Sequence, residues 1–414
     1  MCVREREQIC QFPAFSESYL NLNFNLNLNS ISILSFLPNS FIEFPVFLYK
    51  LILSERTEVR MNTLSFHRQD LIRMVGTEKA KERQALYDNA YRIKLDQVGK
   101  LVYFRGIVEF SNICTKNCYY CGIRRENTAF TRFSMTKDEI LECAKLAHDY
   151  RYGSIVLQAG ERNDPDFVGF IEDIVRQIKQ MSNNGLGITL SLGEQSSETY
   201  NRWFEAGAHR YLIRIETSNR DLYHSLHPED HDFDRRLACI SKLREIGYQV
   251  GTGVMIGLPG QTVEDLADDI LFFRKLDVDM IGMGPYIVHH DTPLANRSLE
   301  FDPERQLRLG LNMIAATRIA LKDVNIAATT ALQTLDPRGR ELGLQAGANI
   351  VMPNITHTRY RSSYQLYDNK PCLDENAGLC RACLSHRITG IGEDVGYDEW
   401  GDSPHFARRN QSDK

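Results

Sequence analysis

The run Phe110-Ser111-Asn112-Ile113-Cys114-Thr115-Lys116-Asn117-Cys118-Tyr119-Tyr120-Cys121-Gly122 follows an apolar stretch at residues 101–110 and sets three thiols at C-x3-C-x2-C spacing. A loop this short, leaving a strand, can wrap its sulfurs around one compact metal centre, and thiolates suit iron–sulfur clusters or zinc. The count of three is informative. A [4Fe–4S] cube held by three cysteines leaves one iron open to a small molecule. S-adenosylmethionine (SAM) can chelate that iron through its amino and carboxylate groups. An electron from the cluster can then split the S–C5′ bond to give a 5′-deoxyadenosyl radical. The alternatives are a ferredoxin run, which uses C-x2-C-x2-C with a fourth Cys, and a zinc loop, which needs a fourth ligand close by.

The rest of the composition is compatible with an enzyme built around such a centre. A chain of 414 residues that is 43% hydrophobic can bury one large core or two ordinary ones. A formal charge of −5 provides no basic field for nucleic acid. Six of the ten cysteines fall into two triplets, Cys114/Cys118/Cys121 and Cys372/Cys380/Cys383. Clustered thiols in a long chain argue for metal ligands in a reducing compartment, so the expected location is the cytoplasm.

Residues 1–60 differ in character from the rest of the chain. Asn alternates with Leu or Phe over residues 21–29, a low-complexity pattern. The apolar stretch at residues 31–53 is broken by Pro38, Asn39, Glu43 and Pro45, a poor membrane span. The segment is expected to be disordered or to reflect a misplaced translation start, with ordinary globular sequence beginning at Met61. A charged, helical lead-in over residues 61–100 comes next. Apolar runs then recur at residues 101–110, 154–158, 187–192, 211–216, 249–256, 280–283, 325–328 and 349–352. Amphipathic stretches separate them, at residues 137–150, 165–181, 233–246, 263–275 and 303–322. Short strands alternating with helices mean parallel pairing through right-handed crossovers. Eight such units over about 250 residues predict a closed (β/α)8 barrel of TIM type, at residues 101–360; the brief seventh and eighth runs leave an open barrel with fewer strands as the alternative. A C-terminal extension at residues 361–414 carries the second triplet.

In such a barrel, chemistry gathers where the strands end. The second strand ends in Gln158-Ala159-Gly160-Glu161 and the third in Thr189 to Glu194. In the fourth, Arg214 and Glu216 share one face by the two-residue period. The fifth gives GVMIGLPGQT at residues 253–262, and the seventh ends at Thr329-Thr330. Each has a plain reading: Thr262 as a helix N-cap, Arg214 and Glu216 as a structural ion pair. Five polar strand ends converging on the mouth that carries the cysteine loop favour a site.

With Tyr120 directly before the third cysteine, the loop resembles the radical SAM signature. The ordered set of residues 111–125 (SNICTKNCYYCGIRR), 155–161 (IVLQAGE), 189–194 (TLSLGE), 214–219 (RIETSN), 253–262, 284–294 (GPYIVHHDTPL), 327–330 (AATT) and 347–354 (GANIVMPN) is similar to the biotin synthase-like branch of that superfamily. Within the branch it resembles the HydE family of [FeFe]-hydrogenase H-cluster maturases. The resemblance implies that Cys114, Cys118 and Cys121 hold the cube. It implies that Gln158, Gly160 and Glu161 engage the SAM amino group, with Ala159 standing where relatives have Gly. Glu216 and Arg236 match SAM-binding positions, Arg236 pairing with the carboxylate. Tyr120 and the backbone of Met255 and Gly257 flank the nucleoside end. Thr189, Arg214, Thr329, Thr330 and Tyr367 match the substrate cavity, whose implied occupant is a small cysteine-derived iron complex. An external electron donor and the other hydrogenase maturation proteins are the implied partners. Nucleic acid and membrane are not.

The second triplet, Cys372-x7-Cys380-x2-Cys383, resembles an auxiliary iron–sulfur site ([2Fe–2S] or [4Fe–4S]) that some members of the family carry. His386 would make it a Cys3His zinc site instead. His289 and His290 fall in the loop after the sixth strand, lining the cavity or capping it. Cys143 and Cys239 lie in helical patterns as buried thiols. Two other readings stand beside the maturase: a methylornithine synthase-like mutase, and a non-catalytic Fe–S scaffold or electron carrier.

Overall fold

The computed structural model describes residues 67–129, 131–297 and 301–412; the expected low-complexity extension lies outside them. Two helices lead in, α1 (Arg68–Gly76) and α2 (Ala80–Gln97). The strands and helices then alternate as β1 (Leu101–Ser111), α3 (Lys137–Asp149), β2 (Ser154–Ala159), α4 (Pro165–Met181), β3 (Gly187–Ser191), α5 (Ser197–Glu205) and β4 (Arg210–Leu212). Next come α6 (Arg220–Leu226), α7 (Phe233–Ile246), β5 (Gln249–Thr252), β6 (Met255–Ile256), α8 (Val263–Leu276), β7 (Met280–Ile281) and β8 (Gly284–Pro285). The third quarter holds α9 (Pro303–Leu321), β9 (Asn325–Ile326), α10 (Thr330–Leu335), α11 (Gly339–Gln345) and β10 (Ile350–Val351). The chain finishes with α12 (Thr358–Arg361), α13 (Ala377–Gly390), β11 (Asp394–Gly396) and α14 (Pro404–Ser412).

Helix starts follow local chemistry. Thr136 and Thr262 form capping boxes with Glu139 and Asp265, satisfying amide donors that have no partner inside the helix. Asp164 and Asp302 cap α4 and α9, each followed by Pro at the first turn, where its missing N–H costs nothing.

All eight expected runs form strands, parallel and in the order β10-β1-β2-β3-β4-β5-β7-β9. The last of these meets the first again. Asn349 N–H reaches Ile326 O and Ala328 N–H reaches Ile350 O, both at 2.9 Å, across a parallel bridge between Ala327 and Ile350. The barrel interior and its helix-facing surface are filled by one apolar cluster containing Val108, Ile155, Leu157, Ile188, Leu190, Val250 and Ile326.

The C-terminal tail seals the end of the barrel where the strands begin. Here β11 pairs with β1, and Trp400 Nε1 donates to Gly185 O at 2.7 Å. The buried Arg210 donates to Trp400 O and Asp402, both at 2.8 Å, and Arg105 reaches Gly401 O at 3.0 Å. Lys94 of α2 pairs with Glu393 at 2.5 Å with both side chains fully buried. Removing either partner of such a pair would strand the other at a cost of about 3–5 kcal/mol. The opposite mouth is left to the cysteine loop.

Candidate active site

Beyond β1 the chain turns at Asn112, whose side-chain amide donates to Thr131 O at 2.9 Å and Ser363 O at 2.7 Å. Arg132 staples the loop from below, donating to the carbonyls of Asn112 (2.6 Å), Ile123 (2.8 Å) and Asn127 (2.8 Å). Cys114 Sγ accepts from the backbone N–H of Lys116 at 3.4 Å and of Glu161 at 3.3 Å. Burial pushes the Cys118 thiol up to about 12 and Cys121 well above its ordinary value, and each sulfur makes its neighbours harder to ionise. Three thiols that resist losing a proton unaided are what a cationic metal centre reverses.

The spacing of the sulfurs tests the kind of centre. Thiolates on one zinc lie about 2.3 Å from it, hence roughly 4 Å from one another. Among the described residues, the metal-ligand groups whose atoms all lie within 4.8 Å are His289-His290-Asp368 and Cys372-Glu375-Cys380; the first triplet is not one of them. Its three sulfurs are not gathered as they would be on a single ion.

Gly160 and Glu161 lie directly against this loop. Gly160 N–H bonds Ser111 O and Thr115 N–H bonds Glu161 O, both at 2.9 Å. A Cβ on Gly160 would lie 2.4 Å from Ile113 O and 2.7 Å from Cys114 Cβ, so only glycine admits the approach. Glu161 Oε1 is 3.4 Å from Lys116 Nζ, and Oε2 is 3.7 Å from Arg236 Nη2. Arg236 of α7 also donates through Nε to Glu194 Oε1 and through Nη1 to Arg214 O, both at 2.9 Å. Burial raises Glu161 above the usual carboxylate range even beside Arg236 and Lys116. In Glu194 burial acts the same way, but the charges and hydrogen bonds of Arg236 and Lys116 outweigh it and hold the carboxyl low.

On the far side, Arg214 Nη2 lies 2.9 Å from Glu216 Oε2, a pair formed beyond the end of β4 and not on a shared strand face. Glu216 adopts φ 64°, a left-handed conformation rare for a residue with a Cβ. Arg214 Nε, Thr329 Oγ1 and Tyr223 Oη are buried without a hydrogen-bond partner, and Glu216 Oε2 has none beyond its ion pair. Such groups normally find partners, and at a barrel mouth they are free to receive a polar ligand.

Tyr120, Met255 and Val288 pack around a small apolar cluster of Leu222, Leu226, Leu258, Tyr286 and Leu294. Tyr120 Oη donates to His227 Nε2 at 3.3 Å, because Nδ1 is committed to Tyr223 O at 2.8 Å. Burial pulls His227 down to about 3, keeping it neutral. Gly257 has φ 78°, and a Cβ there would strike Gln306 Oε1 at 1.8 Å. Its N–H bonds Gln261 Oε1 at 2.7 Å, while Gln261 Nε2 donates to Met255 O at 3.1 Å, so Gln261 stiffens the backbone at residues 255–258.

Tyr367 Oη donates to Thr330 Oγ1 at 2.9 Å beside Thr329. Thr189 is placed differently. It lies mid-strand, its Oγ1 accepts from Arg210 Nε at 3.1 Å, and it lines a cavity of about 20 Å³ within the barrel with Arg105 and Asn325. Gln158 points to Tyr364 Oη at 3.3 Å, on a segment that carries Lys370 and the buried Lys370–Glu109 ion pair.

Of the second triplet, the structure brings two sulfurs close together. Cys372, Glu375 and Cys380 bring their ligand atoms within 4.8 Å, while Cys383 is exposed on α13. His386 is exposed and lies outside that group. Arg361 ties the segment to the barrel through Cys372 O (2.9 Å), Glu375 O (2.7 Å) and Asn354 O (3.1 Å). Glu194, Lys116 and Glu109 were not among the expected site residues. A signal for Glu194 exists in the sequence: the second and third strands both end in Gly-Glu, at Gly160-Glu161 and Gly193-Glu194. Glu109 and Lys370 are 261 residues apart and leave no such signal.

Residues 108–273 match the radical SAM superfamily. The chain is 26% identical over 324 residues to 3-methylornithine synthase of Methanosarcina acetivorans, covering 78% of this chain and 88% of that one. A crystal structure of methylornithine synthase superposes with a TM-score of 0.69 at 22% identity, over 81% of this chain and 96% of the other, which speaks for the fold. The [FeFe] hydrogenase maturase subunit HydE of Thermotoga maritima is 46% identical over 343 residues, 83% of this chain and 95% of the relative. With that identity spanning nearly the whole relative, the chain belongs to the HydE family of radical SAM enzymes, which work with a [4Fe–4S] cluster and SAM.

Proposed function

We propose that the chain cleaves SAM and turns the resulting radical on a small cysteine-derived iron complex during maturation of the [FeFe]-hydrogenase H-cluster. The observation that carries this reading is the bonding of the Gly160-Glu161 turn into the cysteine loop, with Glu161 N–H on Cys114 Sγ at 3.3 Å. The group that receives the SAM amine is thereby held in register with the sulfurs that hold the cluster. When bound, cluster and SAM supply a 5′-deoxyadenosyl radical.

The chain's own residues do the rest. Glu161 accepts the ammonium, and Arg236 turns Nη2 toward the carboxylate while Glu194 holds its Nε. Glu216 and the stiffened backbone at Met255 and Gly257 receive the nucleoside beside Tyr120. Arg214, Thr329, Thr330 and Tyr367, with Thr189 deeper, present one cation and several hydroxyls to an amino-acid carboxylate. The barrel wall keeps water from a reactive species. An external electron donor and the other hydrogenase maturation proteins act with it in the cytoplasm. Among the described residues no helix is long and apolar enough to cross a membrane.

Anaerobically reconstituted protein given SAM and dithionite should yield 5′-deoxyadenosine and support hydrogenase maturation with the other maturases. Arg236→Ala should raise the KM for SAM about 10–100-fold, the loss of a charge-assisted contact from Nη2. Arg214→Met should spare nucleoside formation but abolish maturation. Maturation by Arg214→Met protein at the wild-type level would remove the substrate assignment.

A further inference from the structure

Two histidines outside the SAM and substrate residues converge on one carboxylate at the rim of the mouth. His290 Nδ1 lies 2.8 Å from Asp368 Oδ1, and His289 Nδ1 lies 4.0 Å from the same oxygen. Neighbouring contacts fix which ring nitrogens carry protons. Asp291 N–H donates to His289 Nδ1 at 3.2 Å, so that nitrogen is bare. His290 Nε2 lies 3.2 Å from Asp291 Oδ2, and Nδ1 donates to Asp368 Oδ1 in the metal-free chain, a proton that a bound cation would displace. A ligating histidine that hands its other N–H to a carboxylate is the usual outer arrangement of a metal site.

The frame is rigid. His290 N–H and Asp368 Oδ2 are bonded at 3.0 Å, and Asp368 N–H reaches Val288 O at 3.0 Å. His289 is buried against Gly122, the residue after Cys121. His290 is exposed, so an ion can enter from solvent. Two imidazoles and one carboxylate, with further coordination positions open, select a divalent first-row transition ion over magnesium or calcium, which take oxygen ligands.

We propose that His289, His290 and Asp368 bind one divalent transition ion at the rim of the barrel, separate from both cysteine triplets. The competing arrangement is a protonated His290 paired with Asp368 and Asp291 and binding no metal. Cobalt distinguishes them. Cluster-loaded protein should be dialysed anaerobically against Co²⁺ and examined by cobalt K-edge absorption. One retained Co²⁺ with a nitrogen and oxygen shell containing imidazole is expected. His290→Gln and Asp368→Asn should each weaken its binding about 10–100-fold, with 5′-deoxyadenosine yield unchanged. Sulfur in the cobalt shell, unaltered affinity in both variants, or no retained cobalt would each overturn the proposal.

Discussion

The two cysteine triplets look alike in sequence and differ in the fold. Around Cys114, Cys118 and Cys121 the loop is tied down by Arg132 and pressed against Gly160, and the sulfurs do not all lie within 4.8 Å of one another. Around Cys372 and Cys380 two sulfurs and the Glu375 carboxylate crowd together, with the third sulfur on the surface. Similar cysteine spacing in a sequence therefore does not by itself define a site. What defines one is the set of backbone and side-chain contacts that fixes how far apart the sulfurs stand.

The sharpest break between the triplets is in catalysis. Cys118→Ala should lower 5′-deoxyadenosine formation by at least about 10³-fold, since a missing cluster ligand removes the electron source. Cys380→Ala should stay within about twofold by the same chromatographic assay, because the second triplet contributes no group to the SAM site. Equal losses would erase the distinction. A smaller effect concerns loading. Gly160→Ala would drive a Cβ against backbone at 2.4 Å and should cut reconstituted iron content several-fold. Gly378→Ala, beside the second triplet, meets only the end of the Tyr150 side chain at 2.9 Å and the Asn376 side chain at 3.4 Å, and should change it little.

The mildest test is chemical. In the metal-free chain a hydrogen bond from Cys380 pulls Cys372 down to about 6, whereas burial holds Cys118 up at about 12. A lowered thiol is already thiolate at neutral pH. Iodoacetamide labelling of Cys372 should therefore level off above about pH 7, while Cys118 stays unlabelled until the medium is strongly alkaline. Peptide mapping across the pH range reads both, and parallel pH profiles would show that the two environments do not differ.

The barrel was legible because its strands are buried on both sides, so each reads as a short apolar run between amphipathic helices. The ends of those runs were less so. The fourth run, at residues 211–216, becomes a three-residue strand at Arg210–Leu212, with Glu216 beyond it at positive φ. The fifth divides at Gly253, where a Cβ would meet Gly282 O at 2.0 Å, and its second half pairs with Gly284–Pro285 in a separate ladder. Within the site, Arg214 and Glu216 were readable from their spacing. Glu194 became visible as a partner only once α7 brought Arg236 over it, and the Lys370–Glu109 pair depends on contacts no local pattern encodes. Thr189 looks like its fellow hydroxyls in the sequence, yet Arg210 holds it one layer deeper.

The tail that seals the barrel has a consequence for biogenesis. Along one edge β1 pairs with β10 and β11, and Arg105 within it waits for Gly401, 296 residues downstream. A growing polypeptide leaving the ribosome therefore cannot complete its first strand's contacts until the segment around residue 401 has been translated. Such long-range closure is slow and leaves apolar edges exposed meanwhile. Nascent chains stalled before residue 394 should depend on chaperones and resist cluster insertion, because the vessel that shelters the cofactor has not yet acquired its floor.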